Sequence, residues 1–404
     1  LPTPQRRVAI TGLGAIAAIG NTIPAFTANL FAGRPGIRPL AGLPLDRLTV
    51  RTAAQIQAFD PATHFDTKRL QQLDRVSQLA LVAARQAWSD AAPTIPDPTR
   101  AGAILGAAIG LETFDAASHA LYAENAKRLP PLTVPRIMPN APASQVSIEF
   151  GLRGPSFAVA SACASATHAI GLAFHMIRAG VLDLAMTGGS DSSFTLGFMK
   201  AWDALRILSP DTCRPFSRDR NGLVIGEGAG IVILEDFDRA RARNAPIHAE
   251  LIGFGMSADA ADLLAPDAAG AASAMRAALT DASLEPAAID HVNAHGTGTR
   301  LNDATEYAAL LDVLGPRLHE IPVSATKSMT GHCLNAAGGI ELIATILALR
   351  DGRVPPTINH AGSDPSCPLD CVPNEARTVR TNHALSNSFA FGGLNATLVV
   401  KRYE

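Results

Sequence analysis

Four short stretches of this chain gather residue types that could perform acyl chemistry. The first is Val159-Ala160-Ser161-Ala162-Cys163-Ala164-Ser165-Ala166-Thr167-His168. A strand-like approach of small residues runs into a helix expected to open at about Cys163. A thiol there sits beside unpaired N–H groups and the positive end of the helix dipole, so a lowered thiol pKa and a larger thiolate fraction are expected. The small neighbours leave room for an acyl group. Taken alone, such a cysteine is more often a buried packing residue.

The second stretch is Asn293-Ala294-His295-Gly296-Thr297-Gly298-Thr299, with Asp303 and Glu306 following. A histidine leaving a strand into a Gly/Thr turn projects readily into a cleft. Thr297 and Thr299 either bond a ligand's polar arm or satisfy the turn. The third is Lys327-Ser328-Met329-Thr330-Gly331-His332, running into Asn335-Ala336-Ala337-Gly338-Gly339. A helix start disfavours imidazolium, so His332 is expected to stay neutral and to offer Nε–H toward a developing oxyanion. Lys327 tunes that histidine, anchors a carboxylate, or is an ordinary surface lysine. The fourth is Ser386-Asn387-Ser388-Phe389-Ala390-Phe391-Gly392-Gly393-Leu394-Asn395, where paired glycines suggest a turn that exposes backbone N–H groups.

The elements that must position these residues alternate. Expected strands are Val8–Thr11, Ala103–Ala107, Leu182–Thr187, Ile231–Glu235, Ala249–Met256, His291–Asn293, Pro322–Ala325 and Ala396–Lys401. Expected helices are Asp74–Ala92, Ala164–Ala179, Ala269–Ala282, Asp303–Leu314 and Ala336–Leu349. Alternation of this kind predicts an α/β fold with helix-covered sheets. A boundary is expected near 240–248, dividing the chain into halves 1–245 and 246–404 that echo each other loosely and share one interior.

Composition bounds the partners. The 404 residues are 47% hydrophobic and 17% charged, with a formal net charge of −2, so no global basic field exists to hold nucleic acid. The five cysteines, Cys163, Cys213, Cys333, Cys367 and Cys371, are odd in number and sparsely spaced, which fits a reducing compartment better than a disulfide framework. Cys367 and Cys371 lack a second ligand pair, so no metal site is expected there. The opening run Arg7–Gly12 reads as a strand rather than a signal segment. The apolar run Ile340–Arg350 is too short to span a membrane and carries Glu341. A soluble, cytoplasmic protein is expected.

The four motifs, in this order and separation, resemble the β-ketoacyl-acyl carrier protein synthases, especially the type II elongating enzymes of the thiolase superfamily. The resemblance runs from Val8 to Lys401. It extends to Gly151-Leu152-Arg153-Gly154-Pro155, Arg214-Pro215-Phe216, Gly226-Glu227-Gly228-Ala229-Gly230 and Pro355-Pro356-Thr357-Ile358-Asn359. It implies a thiolase-like five-layer αβαβα fold with two pseudo-symmetric halves. It further implies decarboxylative condensation of an acyl chain on Cys163 with a malonyl-carrier, in fatty acid or polyketide/polyene-type biosynthesis. His295 and His332 would promote decarboxylation and Lys327 would support His332. The N–H groups of Cys163 and Phe391 would form the oxyanion hole, with Phe391 also a gate between acyl and malonyl pockets. Substrate-binding positions would be Thr297, Thr299, Trp202, Ile109 and Phe389. An acidic carrier protein would dock on Lys68, Arg69, Lys127, Arg128 and Arg206, and its phosphopantetheine arm would arrive with it. No catalytic metal or cofactor is implied. A structural monovalent cation at Asn293, Glu341, Ser386 and Asn387 is implied by some relatives, as is a dimer with an identical or homologous chain.

Several positions depart from the family pattern. Ala390 and Leu394 replace a glycine and a threonine, Ser217 and Asn221 replace acidic residues, and Trp202 replaces a phenylalanine. The Cβ of Ala390 is expected to restrict the backbone, and Trp202 to narrow or redirect the acyl tunnel. Altered substrate preference follows. Competing readings are a non-catalytic chain-length partner subunit, a thiolase and a cysteine hydrolase. Retention of Cys163, His295 and His332 together argues against the first, and the two-histidine arrangement against the second. The Lys327–His332 segment does not suggest the base a hydrolase needs.

Overall fold

The computed structural model describes residues 5–404. Ten strands form one mixed sheet: β1 (Val8–Ala17), β2 (Ala101–Ala107), β3 (Ser156–Val159), β4 (Leu184–Asp191), β5 (Gly228–Asp236), β6 (Ala249–Ala258), β7 (His291–Asn293), β8 (Val323–Ser324), β9 (His383–Ala390) and β10 (Leu394–Arg402). Every residue of β1, β2, β4 and β5 is buried, which requires cover on both faces. The covering helices are α1 (Arg75–Ala91), α2 (Ser165–Arg178), α3 (Ala268–Asp281), α4 (Arg300–Leu314) and α5 (Ala337–Asp351).

The sheet order is β8-β7-β9-β10-β6-β1-β5-β4-β2-β3. Counted in chain order within each half, both halves read 3-2-4-5-1 from the outer edge inward. Pairing directions repeat as well. The two outermost pairings of each half are parallel, and the two innermost are antiparallel. The first strands of the halves, β1 and β6, meet antiparallel through three residue pairs, Val8 to Ile10 against Leu251 to Ala249. The loose echo seen in the sequence is therefore a repeated topology, and the two sheets join into one.

Helix α1 packs on the N-terminal half, and α3 and α4 on the C-terminal half. Helices α2 and α5 each touch strands of both halves, so the sheet must curl around them and they form the middle of five layers. The sequence of α5 suits that place. Ala337 to Leu349 is buried without interruption, as expected for a helix apolar on all sides. At the outer contact, Gly14 lets α1 approach β1, because a Cβ there would stand 1.9 Å from the Ala83 carbonyl oxygen.

Each expected strand and helix is present, with ends shifted by a few residues; β1 runs on to Ala17, and Asp74 is the N-cap of α1 rather than its first residue. Helices Leu111–Tyr122, Ala141–Phe150 and Leu196–Ala204 were not anticipated. Around the first two, Tyr122, Val134 and Ile148 are 86%, 67% and 68% exposed, so apolar residues there do not mark a core-facing period. Strand β9 was not anticipated, and the turn expected at the paired glycines lies just after it, at Gly392 and Gly393. Among the described residues no helix is long and apolar enough to cross a membrane.

Candidate active site

Strand β3 delivers the chain to a tight elbow. Ala162 has φ +47°, a left-handed conformation that costs a non-glycine residue about 1–3 kcal/mol unless the surroundings enforce it. Cys163 follows, buried but lining a cavity. Helix α2 begins at Ser165, not at Cys163, and the N–H groups of Ala164 and Ser165 turn onto the Ser161 and Ala162 carbonyls, both at 3.1 Å. The expected acidification of the thiol is therefore corrected. Burial pushes Cys163 up to about 12, while the Lys327 charge pulls the other way. The thiol rests protonated.

Both imidazoles come from the C-terminal half. Strand β7 ends at Asn293, and His295 stands two residues beyond it. Its turn is clamped by α4: Glu306 accepts from the N–H groups of His295 (2.7 Å) and Gly296 (2.8 Å), and Asp303 accepts from Gly298 (3.2 Å) and Phe216 (2.8 Å). Three residues apart on a helix, these carboxylates share one face. Burial raises Glu306 to about 7 and Asp303 to about 6. Their spacing was visible in the sequence, but nothing there tied it to His295.

His332 is fixed by the neighbouring extended segment. Its N–H donates to the Val224 carbonyl (2.7 Å), and its carbonyl accepts from Gly226 N–H (2.9 Å). Its Nδ1 accepts from Leu334 N–H at 3.2 Å, which assigns the ring proton to Nε2. The His295 and His332 rings lie 5.3 Å apart, centroid to centroid, at 82°. Burial first, and then the Lys327 charge, hold both pKa values well below 6.5. His332 is thus neutral as expected: a 3₁₀ turn, Leu334–Ala336, opens the helical run two residues beyond it and continues into α5, and the first N–H of that run is the one that meets the ring.

Lys327 is not a surface residue; it is 1% exposed. Its three ammonium donors meet three acceptors: the Glu341 carboxylate, the His295 carbonyl (2.6 Å) and His295 Nδ1 (3.3 Å). The contact with Nδ1 assigns the His295 proton to Nε2 as well. Lys327 therefore supports His295 directly and touches His332 only through its charge, correcting the expected pairing. The two rings are neutral Nε2–H donors in one cavity.

Glu341 and Asn293 also bear on the implied cation. Glu341 Oε2 and Asn293 Oδ1 are buried oxygens with no hydrogen-bond partner among the described residues, and Asn293 Nδ2 meets the Glu341 carbonyl at 3.4 Å. Ser386 is the cross-strand neighbour of Asn293. Bare buried oxygens fit a monovalent cation, which these three residues would hold. The Asn387 side chain is excluded. Adjacent strand residues face opposite ways, and it bonds Thr397 (2.9 Å) and Glu306 (3.4 Å).

The cavity, about 270 Å³, brings Cys163, His295 and His332 together with Thr297, Thr299 and Phe389. Trp202 and Phe391 also line it, stacked at 6.0 Å and 26°. Gly392 and Gly393 follow Phe391 at φ +83° and +67°, and a Cβ on Gly393 would stand 2.6 Å from the Asp259 side chain, so the turn depends on glycine. Ala390 is absent from the positive-φ residues, so its Cβ adds no strain. Ile109 does not line the cavity. It follows the end of β2, 38% exposed, ahead of a helix whose Phe114 and Tyr122 are also exposed. Of the expected basic residues, only Arg206 stands between cavity-lining neighbours, Leu205 and Ile207. Lys68, Arg69, Lys127 and Arg128 do not line it, and Arg69 is drawn to Glu149 at 3.5 Å. The mouth instead exposes Leu205, Leu263, Leu264 and Leu301 at 41%, 72%, 49% and 54%. The sequence signalled this collar only through the Leu263-Leu264 pair within an acidic loop. All five cysteines are free and buried.

Comparison with known proteins followed the same geometry. The sequence model of the β-ketoacyl synthase N-terminal domain matches residues 5–240, and that of its C-terminal domain residues 248–361. Nodulation protein E of Rhizobium sp. (strain N33) is 45% identical over 98% of this chain and 100% of its own. The 3-oxoacyl-[acyl-carrier-protein] synthase 2 of Staphylococcus aureus (strain N315) is 41% identical over 99% of each. Among solved structures, the ishigamide ketosynthase/chain length factor superposes with TM-score 0.92 at 39% identity, over 99% of this chain and 100% of that one.

Proposed function

The chain belongs to the β-ketoacyl synthase family, and from that premise we propose that Cys163 carries the acyl chain while His295 and His332 drive decarboxylation of a malonyl unit presented on a carrier protein. The observation that carries this assignment is the pair of Nε2–H donors sharing one cavity with a free thiol.

The reaction runs in two halves. The Cys163 thiol gives up its proton to solvent, the thiolate attacks the acyl thioester carbon, the bond to the carrier sulfur breaks, and the departing sulfur takes up a proton. The backbone N–H groups of Cys163 and Phe391 hold the tetrahedral oxyanion, each worth about 2.7–4 kcal/mol. Malonyl-carrier then enters, with Thr297 and Thr299 bonding its arm. The bond to the carboxylate breaks, carbon dioxide leaves, and the electron pair becomes an enolate on the thioester oxygen. His295 and His332 donate Nε2–H to that oxygen. A neutral donor suits this step because it stabilises the enolate without handing over a full proton that would quench it. The carbanion attacks the acyl carbon, and the Cys163 thiolate leaves and takes up a proton. Lys327 and Glu306 hold His295 for this work.

Trp202 stacked on Phe391 narrows the acyl end, which supports a specialised acyl chain over the bulk fatty acid series. The names of two relatives, a nodulation protein and an ishigamide ketosynthase, point the same way. The carrier docks at the leucine collar and Arg206, so apolar contact carries more of its affinity than a basic rim would. A second chain, identical or homologous, covers exposed apolar residues such as Ile109, Phe114, Tyr122 and Val134. A purely chain-length-determining subunit would need no thiol in an open cavity. The five free thiols fit the cytoplasm. Mass spectrometry of products from a panel of acyl-carriers with malonyl-carrier tests the reading. Extension by two carbons with carbon dioxide release is expected, and hydrolysis alone would overturn it.

A further inference from the structure

The strained elbow at Ala162 is held by contacts that converge on Ser165. The Ser165 Oγ accepts from Ser161 N–H at 2.8 Å and faces the Ala162 carbonyl at 2.7 Å. The same oxygen meets Asn335 Oδ1 at 2.8 Å, so one hydroxyl hydrogen is shared between two acceptors. Asn335 comes from the other half of the molecule, on the turn between His332 and α5. Its Nδ2 donates to Asp191 Oδ2 at 2.7 Å, and its backbone N–H donates to that oxygen at 3.2 Å. Asp191 ends β4, is fully buried, and also accepts from Ser193 Oγ. The Asn335 carbonyl is pressed against Gly189, where a Cβ would stand 2.5 Å from its oxygen. Hydrogen bonds therefore run unbroken from β4, through Asn335 and Ser165, to the two residues preceding the nucleophile.

We propose that Asn335 is a positioning residue for the first half-reaction: braced on Asp191, it holds Ser165 and thereby the Ser161–Cys163 elbow at which the sulfur meets the incoming thioester. The inference rests on Cys163 as the acyl-accepting nucleophile. It divides labour within one segment, since His332, three residues earlier, acts in the second half-reaction. Charged and titratable groups that act on Asp191 include Glu227, itself paired with Arg75 at 2.7 Å, and the Cys163 and Cys333 thiols.

The test measures the two half-reactions separately by rapid-quench intact mass and by carbon dioxide release from pre-acylated enzyme. Asn335→Ala is expected to slow Cys163 acylation about tenfold, with half-saturating acyl-carrier and carbon dioxide release each within about twofold of the parent. Ser165→Ala should slow acylation comparably, and the double variant should be no slower than Ser165→Ala alone, as for two links of one chain. Asn335→Asp sets a second carboxylate against Asp191. Relative to the parent at the same pH, it should be slower than Asn335→Ala at about pH 8 and recover toward pH 6, where burial leaves Asp191, at about 6, able to share a proton. Acylation by Asn335→Ala within about twofold of the parent overturns the proposal, as does a parallel fall of both half-reactions with no recovery at low pH. If Asn335→Ala does not fold, Ser165→Ala and Asn335→Asp decide the matter. Failure of the parent itself to acylate Cys163 would instead sink the nucleophile assignment.

Discussion

Cys163 enters the cavity from the N-terminal half, on the elbow before α2, and His295 and His332 enter it from the C-terminal half. All three are buried, and burial favours the neutral form of each. For the thiol this is an obstacle, because the reactive species is the thiolate and burial lifts its pKa to about 12. For the imidazoles it is the requirement, because a neutral Nε2–H donor must survive the reaction. In the proposed reaction, the same desolvation would therefore hinder one half-reaction and equip the other. The supports differ accordingly. The histidines are braced by hydrogen bonds that fix their tautomer, through Leu334 and Lys327, whereas the cysteine is braced by hydrogen bonds that fix its backbone.

Substitutions that strike one side should break this contrast. Cys163→Ala should reduce condensation to background and abolish the acyl adduct in intact-mass spectra, while leaving malonyl thioester bound. His332→Ala removes one enolate donor and should lower carbon dioxide release about 10²–10³-fold, with Cys163 acylation retained, as read by single-turnover assays. Lys327→Met strands Glu341 as a buried unpaired group and should cost about 3–5 kcal/mol in denaturant unfolding, together with most decarboxylation. A smaller effect is expected across pH. Acylation should climb between about pH 6 and 8, because the thiol at about 12 gains thiolate throughout, while decarboxylation should stay flat because neither imidazole charges there. The mildest is Trp202→Phe, which loses part of a stacking contact worth about 0.5–1.5 kcal/mol and should shift the length distribution of products more than their rate.

The fold was legible wherever burial imposed a period. The fully buried β1 and α5 could be read from runs of apolar residues, and the histidine turns from their glycines. The helix Leu111–Tyr122 escaped because Phe114, Leu121 and Tyr122 face outward, and Ala141–Phe150 because the exposed Ile148 breaks the pattern of its buried Ala143 and Val146. The meeting of Cys163, His295 and His332 in one cavity was expected from the sequence; their electrostatics were not. A helix start seemed to govern Cys163, yet the helix begins two residues later and its first N–H groups are spent on the elbow. Lys327 lay five positions before His332 in sequence but bonds His295, because the short helix Lys327–Thr330 turns its side chain inward toward Glu341. Pairings across the two halves, such as Ser165 with Asn335, leave no trace in local spacing.

The protonation of the two rings can be read directly from ¹⁵N chemical shifts of His295 and His332 in histidine-labelled protein near pH 6. The account predicts two neutral imidazoles with hydrogen on Nε2 and none on Nδ1. Imidazolium shifts on either residue, or hydrogen on Nδ1, would contradict it.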